Sequence, residues 1–172
     1  MSEEELGRVM EQMPYGLYII GSRMMTDDVN GMMADWVMQV SFKPRLLAVS
    51  FEQDAHTLAN IRANRVFTVN FLSEGEDGMH IAERFAQPYL GSKVHGPQAQ
   101  DAHHRKFDGI GHDLTVRGCP VLLAAMAWLE CEAREFITAG DHTIVIGEVC
   151  DGRMNHEGEP LTSTFTGWNY SG

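Results

Sequence analysis

Two short stretches and one hairpin hold the residues of this 172-residue chain best suited to act together on a ligand. The first is Asn30, Gly31, Met32, Met33, Ala34, Asp35 and Trp36; the second is Ser50, Phe51, Glu52, Ala55, His56 and Thr57. The hairpin places His142 after Gly140 and Asp141. Trp36 gives a flat apolar wall, and strand alternation sets polar groups on the opposite face. Thr57 stands where a short helix is expected to begin, and its hydroxyl and the first N–H groups of that helix form a site for an anion. Histidine serves equally as an acid–base group and as a turn residue. Each also has an ordinary structural use: Trp36 as core, Thr57 as a helix cap, His142 in its hairpin and Arg84 as a solvated helix charge. Only the combination points to a site.

Other chemistries lack their signatures. The chain has no G-x-G-x-x-G, no G-x-x-x-x-G-K-[ST] and no G-x-S-x-G, so neither the common nucleotide loops nor the hydrolase elbow is present. His95, His103, His104 and His112 follow no compact ligand spacing, and a mixed zinc site with Cys119 and Cys131 is demoted on the same ground. No metal is expected. Cys119, Cys131 and Cys150 are odd in number and far apart, which suggests reduced thiols in the cytoplasm. A net charge of -11 argues against nucleic acid or an anionic membrane as partner. Any phosphate must then be held by backbone N–H groups, hydroxyls and a few arginines. No run approaches 18 apolar residues, and the acidic start at Met1 to Glu5 has no hydrophobic core, so neither a spanning helix nor a signal peptide is expected.

The elements that must position these residues are mostly strands. Ser2 and Glu5 fit a capping box, with Leu6, Val9, Met10 and Met13 on one face of a helix ended by Pro14. Strands are expected at 15–24, 32–42, 46–52 and 66–72, the third central because it is apolar on both faces. Asn30-Gly31 reads as a hairpin turn. Helices are expected at 57–64 and 77–87, and a polar excursion at 88–113. A long ribbon follows, turning at Ala139-Gly140-Asp141 and ending at Asp151-Gly152-Arg153, with a closing strand at 161–164. Short helices between strands, without regular βαβ alternation, predict one mainly β domain over 1–172, an antiparallel barrel or sandwich.

In order, the segments NGMMADWVMQVSFKP (30–44), SFEQDAHTLANI (50–61), FTVNFL (67–72), LEC (129–131) and GDHTIVIGEV (140–149) resemble the flavin reductase-like family of FMN-binding split β-barrels. The likeness covers roughly residues 14 to 150. It implies a Greek-key antiparallel barrel and a homodimer with a flavin near the interface. The implied reaction is hydride transfer from NADH or NADPH to that flavin, FMN favoured over FAD, serving an oxygenase or electron-carrier partner. It further implies that residues 31–36 lie along the isoalloxazine ring and that residues 50–57 wrap the ribityl chain and phosphate. Arg84 with Phe85 falls at the far edge, and His142 faces the nicotinamide. A tightly bound FMN that carries electrons without nicotinamide turnover, or a flavin or haem binding module, is the alternative. Three positions depart from the family pattern: Asp35 for a small or hydroxyl residue, Ala55 for a hydroxyl, and Arg45 for a second proline. A carboxylate at 35 disfavours a negatively charged reduced flavin.

Overall fold

A computed structural model describes residues 2–26, 28–86 and 106–168 of the chain. In chain order the elements are α1 (Glu3–Met10), β1 (Tyr18–Arg23), β2 (Val29–Ala34), β3 (Val37–Phe42), β4 (Arg45–Glu52), α2 (His56–Asn64), β5 (Val66–Phe71) and α3 (Glu76–Ala86). There follow β6 (His112–Leu114), β7 (Pro120–Leu122), β8 (Ala127–Ala139), β9 (His142–Met154) and α4 (Ser163–Thr166). Seven strands form one antiparallel sheet in the order β2-β1-β5-β8-β9-β4-β3, and β6 pairs with β7 apart from it.

Strands β2 and β3 are sequence neighbours at opposite edges of this sheet, with only Asp35 and Trp36 between them. Three residue steps span at most about 11 Å. The edges of a flat seven-stranded sheet lie about 29 Å apart at the usual interstrand spacing. The sheet therefore curls until its two edges meet at Asp35–Trp36. Among the described residues no ladder joins β2 to β3.

Alternation along the strands sorts the apolar residues into two cores. Ile20, Val49, Phe51, Phe67, Val69, Cys131 and Val145 fill one with Leu58 and Ile61 of α2. Ile19, one residue from Ile20, points the other way and joins Leu72, Ile81, Phe85, Leu122 and Leu161. The capping box forms as expected: Ser2 Oγ accepts from the Glu5 amide at 3.2 Å, and the Glu5 carboxylate accepts from Ser2 N–H at 2.8 Å. Helix α1 buries none of its residues, so its apolar stripe is exposed.

Four expectations are corrected. Asn30 and Gly31 are not a turn: they lie inside β2, opposite Ser22 and Gly21, and the chain reverses before Val29. The strand expected at 32–42 is broken by the crossing at Asp35–Trp36. Strand β4 lies second from an edge, between β9 and β3, with Leu47, Val49 and Phe51 buried on one face and Leu46, Ala48, Ser50 and Glu52 half-buried on the other. Near 161–164 there are only the isolated bridges Gly16↔Thr162 and Ser73↔Pro160 and the short helix α4. The ribbon stands as read, with Gly140 at φ 61 in its turn, and β9 runs on to Met154 through two irregularities in its pairing. Most of the expected excursion, with His95, His103 and His104, lies outside the described residues.

Candidate functional site

The crossing between the sheet edges gathers the candidate residues. Trp36 is fixed from two sides: its carbonyl accepts from Ser50 N–H at 3.0 Å, and its ring lies 4.9 Å from the His142 ring at 40°. His142 pairs with Glu52 at the β4–β9 ladder end, so three sequence-distant segments converge there. Helix α2 begins just beyond β4. Its cap is Ala55, which offers no side-chain acceptor to the first-turn N–H groups.

Behind the site, polar side chains satisfy one another. Asn30 Nδ2 donates to Thr57 Oγ1 at 2.8 Å, and Asn60 Nδ2 donates to Ser22 Oγ at 3.2 Å, all four residues being buried. These bonds tie β2, β1 and α2 together. Thr57 thus turns its hydroxyl inward to Asn30, and an anion at the helix start meets the backbone N–H groups first.

A second tie works from the α3 side. Arg84 Nε donates to Lys106 O at 2.7 Å, and another guanidinium nitrogen donates to Asp108 O at 2.6 Å. In return, Lys106 Nζ donates to Gly31 O at 3.2 Å and to Phe85 O at 3.4 Å. The ring of Phe85 then closes over Gly31. A Cβ at position 31 would lie 2.5 Å from Phe85 Cε1 and 3.3 Å from Phe107 Cζ, so only glycine fits there without displacing a buried ring. Phe107 continues the aromatic run, 5.0 Å from Phe85 and 4.7 Å from His112 between ring centroids.

The electrostatics follow from burial. Burial pushes the Asp35 carboxyl above its ordinary range; its own N–H, that of Trp36 and the nearby His142 oppose the shift. Burial likewise lowers the Lys106 ammonium to about 8. On the open side, His142 Nδ1 lies 2.7 Å from Asp141 Oδ1, and that hydrogen bond holds the Asp141 carboxyl below its usual value. A proton on Nδ1, shared with this carboxylate, leaves Nε2 as the ring's other polar atom.

Of the residues read from the sequence, Asn30, Gly31, Asp35, Trp36, Ser50, Glu52, Ala55, His56, Thr57 and His142 are brought into these segments. Met32 packs on the inner core and Met33 on the outer, as strand alternation demands. Ala34, Phe51 and Phe85 have core side chains, so a ligand would meet them through backbone. Sequence reasoning missed Ser22, Asn60, Lys106 and Phe107. The first two are strand and helix residues of common type, and the others close a stretch without periodicity. Among the described residues no group of three or more His, Cys, Asp or Glu is arranged for a metal.

The arrangement suits a planar ligand with an anionic tail: a wall at Trp36, glycine backbone at 31, and a helix start without a side-chain cap. Comparison with known proteins points the same way. The family described as Flavin reductase like domain matches residues 10–169. The chain is similar to Diflavin flavoprotein A 1 of Synechocystis sp., at 30% identity over 156 residues, covering 88% of this chain and 24% of that protein. It is 28% identical over 153 residues to the flavin reductase of Pseudomonas putida, covering 89% of this chain and 81% of that one. Among solved structures, NADH:FAD oxidoreductase SgcE6 of Streptomyces globisporus C-1027, in complex with NAD and FAD fragments, matches with a TM-score of 0.76 at 26% identity. That match covers 94% of this chain and 87% of the other. The chain spans about a quarter of the length of the diflavin flavoproteins it matches.

Proposed function

The chain belongs to the flavin reductase-like family, and from that premise we propose that it holds a flavin at the Asp35–Trp36 crossing and reduces it with NADH or NADPH. The observation that carries the reading is the Trp36–His142 contact, which pairs a ring wall with an imidazole at the junction of three segments. The curled sheet is read as a split barrel. A flavin bound there accepts two electrons from a nicotinamide and passes them on. The residues' work is then positional. Gly31 to Trp36 line the ring, and N–H groups at the start of α2 take the phosphate, with Thr57 bracing them from behind. Arg84 and Phe85 hold the far edge through their contacts with 106–108 and Gly31. His142 meets the nicotinamide. These contacts ask for nothing beyond the FMN part of a flavin, which favours FMN while leaving room for FAD.

The test is direct. The protein mixed with FMN and NADH or NADPH should bleach the flavin absorbance under anaerobic conditions. A protein that binds no flavin would defeat the reading. The likeness to diflavin flavoproteins supports a second one, an electron carrier fed by another protein or module. A yellow protein unaffected by either nicotinamide would favour it. Under the first reading, reduced flavin is passed to an oxygenase or an electron carrier.

A homodimer with the flavin near its interface is part of the same proposal. Edge strand β3 supports it: Met38, Val40 and Phe42 are 64%, 42% and 83% exposed along this sheet edge. Phe42→Glu is expected to convert a dimer to a monomer in light scattering while leaving the monomer's helix and strand content intact. An unchanged mass would remove β3 from the interface. The three free cysteines, two of them buried, suit a reducing compartment such as the cytoplasm. No helix among the described residues is long and apolar enough to cross a membrane.

A further inference from the structure

Lys106 is a buried cation that the reading above leaves unused. Its side chain is buried, the residue being 9% exposed, and its ammonium meets two backbone carbonyls, Gly31 O at 3.2 Å and Phe85 O at 3.4 Å. No carboxylate among the described residues forms an ion pair with it. An ammonium taken out of water without a counter-charge is costly, and two long bonds to neutral carbonyls offset only part of that. Stabilisation of the fold alone would be met as well by a neutral donor. The charge has a use if an anion forms nearby during function.

The position suggests which anion. Gly31, whose carbonyl the ammonium grips, belongs to the strand assigned above to the isoalloxazine ring, so this inference rests on the flavin reading. Transfer of two electrons and one proton from a nicotinamide, which becomes oxidised, leaves a neutral flavin ring with one negative charge. We propose that Lys106 is the built-in counter-charge of the reduced flavin ring, stabilising that state over the oxidised one and so tuning its potential. It is a positioning and tuning residue that acts on the ring electrostatically through β2. Asp35 stands at the other end of the same segment with the opposite charge, four residues and about 13 Å along the strand. The ring assigned to this segment would lie between a cation at the Gly31 end and a carboxyl at the Trp36 end.

The test compares binding of oxidised and reduced flavin by Lys106→Gln, which keeps N–H donors and drops the charge, and by Lys106→Arg, which keeps the charge. FMN and riboflavin are both used, so that ring and phosphate are separated. Lys106→Gln should bind reduced flavin about tenfold more weakly than wild type, with oxidised flavin little changed. A tenfold differential lowers the two-electron potential by about 30 mV. The loss should be the same with riboflavin as with FMN, and Lys106→Arg should restore most of it. Equal loss for both redox states would reduce Lys106 to a structural tie and overturn the proposal. Loss seen with FMN and absent with riboflavin would assign the charge to the phosphate and overturn it too. If Lys106→Gln does not fold, Lys106→Arg decides alone: a potential more than about 30 mV from wild type overturns the proposal. Wild-type protein that binds no flavin in either state would sink the flavin reading itself, a result distinct from all of these.

Discussion

Phe85→Ala is expected to destabilise the chain by roughly 3–5 kcal/mol, the range for emptying a buried phenylalanine site. The ring is 1% exposed and belongs to the outer core with Ile19, Ile81 and Leu161. It also closes against Gly31 and stands edge-on to Phe107 at 76°. Little can collapse into the gap, because Gly31 has no side chain to move and the Phe107 ring is engaged on its other side by His112. For a domain of this size the loss corresponds to a fall in Tm of about 10 °C. Phe85→Leu, which keeps most of the volume, should lose far less. Flavin affinity should fall in Phe85→Ala even well below its Tm, since the strand assigned to the ring loses its support. Urea unfolding followed by tryptophan fluorescence measures the first effect and flavin titration the second. A stability loss under about 1 kcal/mol would mean that the site is not braced from α3.

Asp35→Ser should raise the flavin midpoint potential by tens of millivolts. A unit charge about 6 Å from the ring in a medium of effective dielectric 20 contributes roughly 3 kcal/mol, which partial solvation reduces to about 1–2. At two electrons that is roughly 20–45 mV. The carboxylate disfavours the negative reduced ring, so its removal favours reduction. The pH dependence has a definite sign. Burial raises the folded-state pKa of Asp35, so the group binds its proton more tightly in the folded protein than in the unfolded chain. Its contribution to stability is complete below the unfolded pKa and is lost as pH rises through the raised folded value. The potential difference between wild type and Asp35→Ser should therefore be largest at neutral pH and fade as pH falls through that range. Spectroelectrochemical titration at several pH values measures it. Equal potentials at neutral pH would show that the carboxylate does not face the flavin.

Much of this architecture was legible because its signals are local. The β5 strand, the capped α1 and the β8–β9 turn at Gly140 depend on near neighbours, and the sequence shows them. What failed was non-local. Asn-Gly is a strong turn signal, yet at 30–31 pairing with Ser22 and Gly21 and the grip of Thr57 on Asn30 overrode it. The break at Asp35–Trp36 has no compositional mark, because what ends β2 and starts β3 is the need to cross between sheet edges. At the candidate site, the residues proposed from the motif are those on the converging segments, and the ones that bond behind them carried no signal. Lys106 is separated from Gly31 by 75 positions, and nothing in its immediate sequence announces a buried ammonium.

The crossing at Asp35–Trp36 has one more consequence, in ligand linkage. The curled sheet is held along its length by ladders, but among the described residues no ladder joins its two edges, which meet through the chain at that point and through Met32, Ala34 and Val37 in the shared core. A molecule seated there, as proposed for the flavin, would touch both edges at once and add to that packing. It would bind the closed sheet in preference to an opened one. By mass action it would protect the fold by about 2.7 kcal/mol at a hundred times its dissociation constant. The occupied protein should thus resist opening first at its seam, and the supply of cofactor in the cell would set the lifetime of the chain as well as its activity.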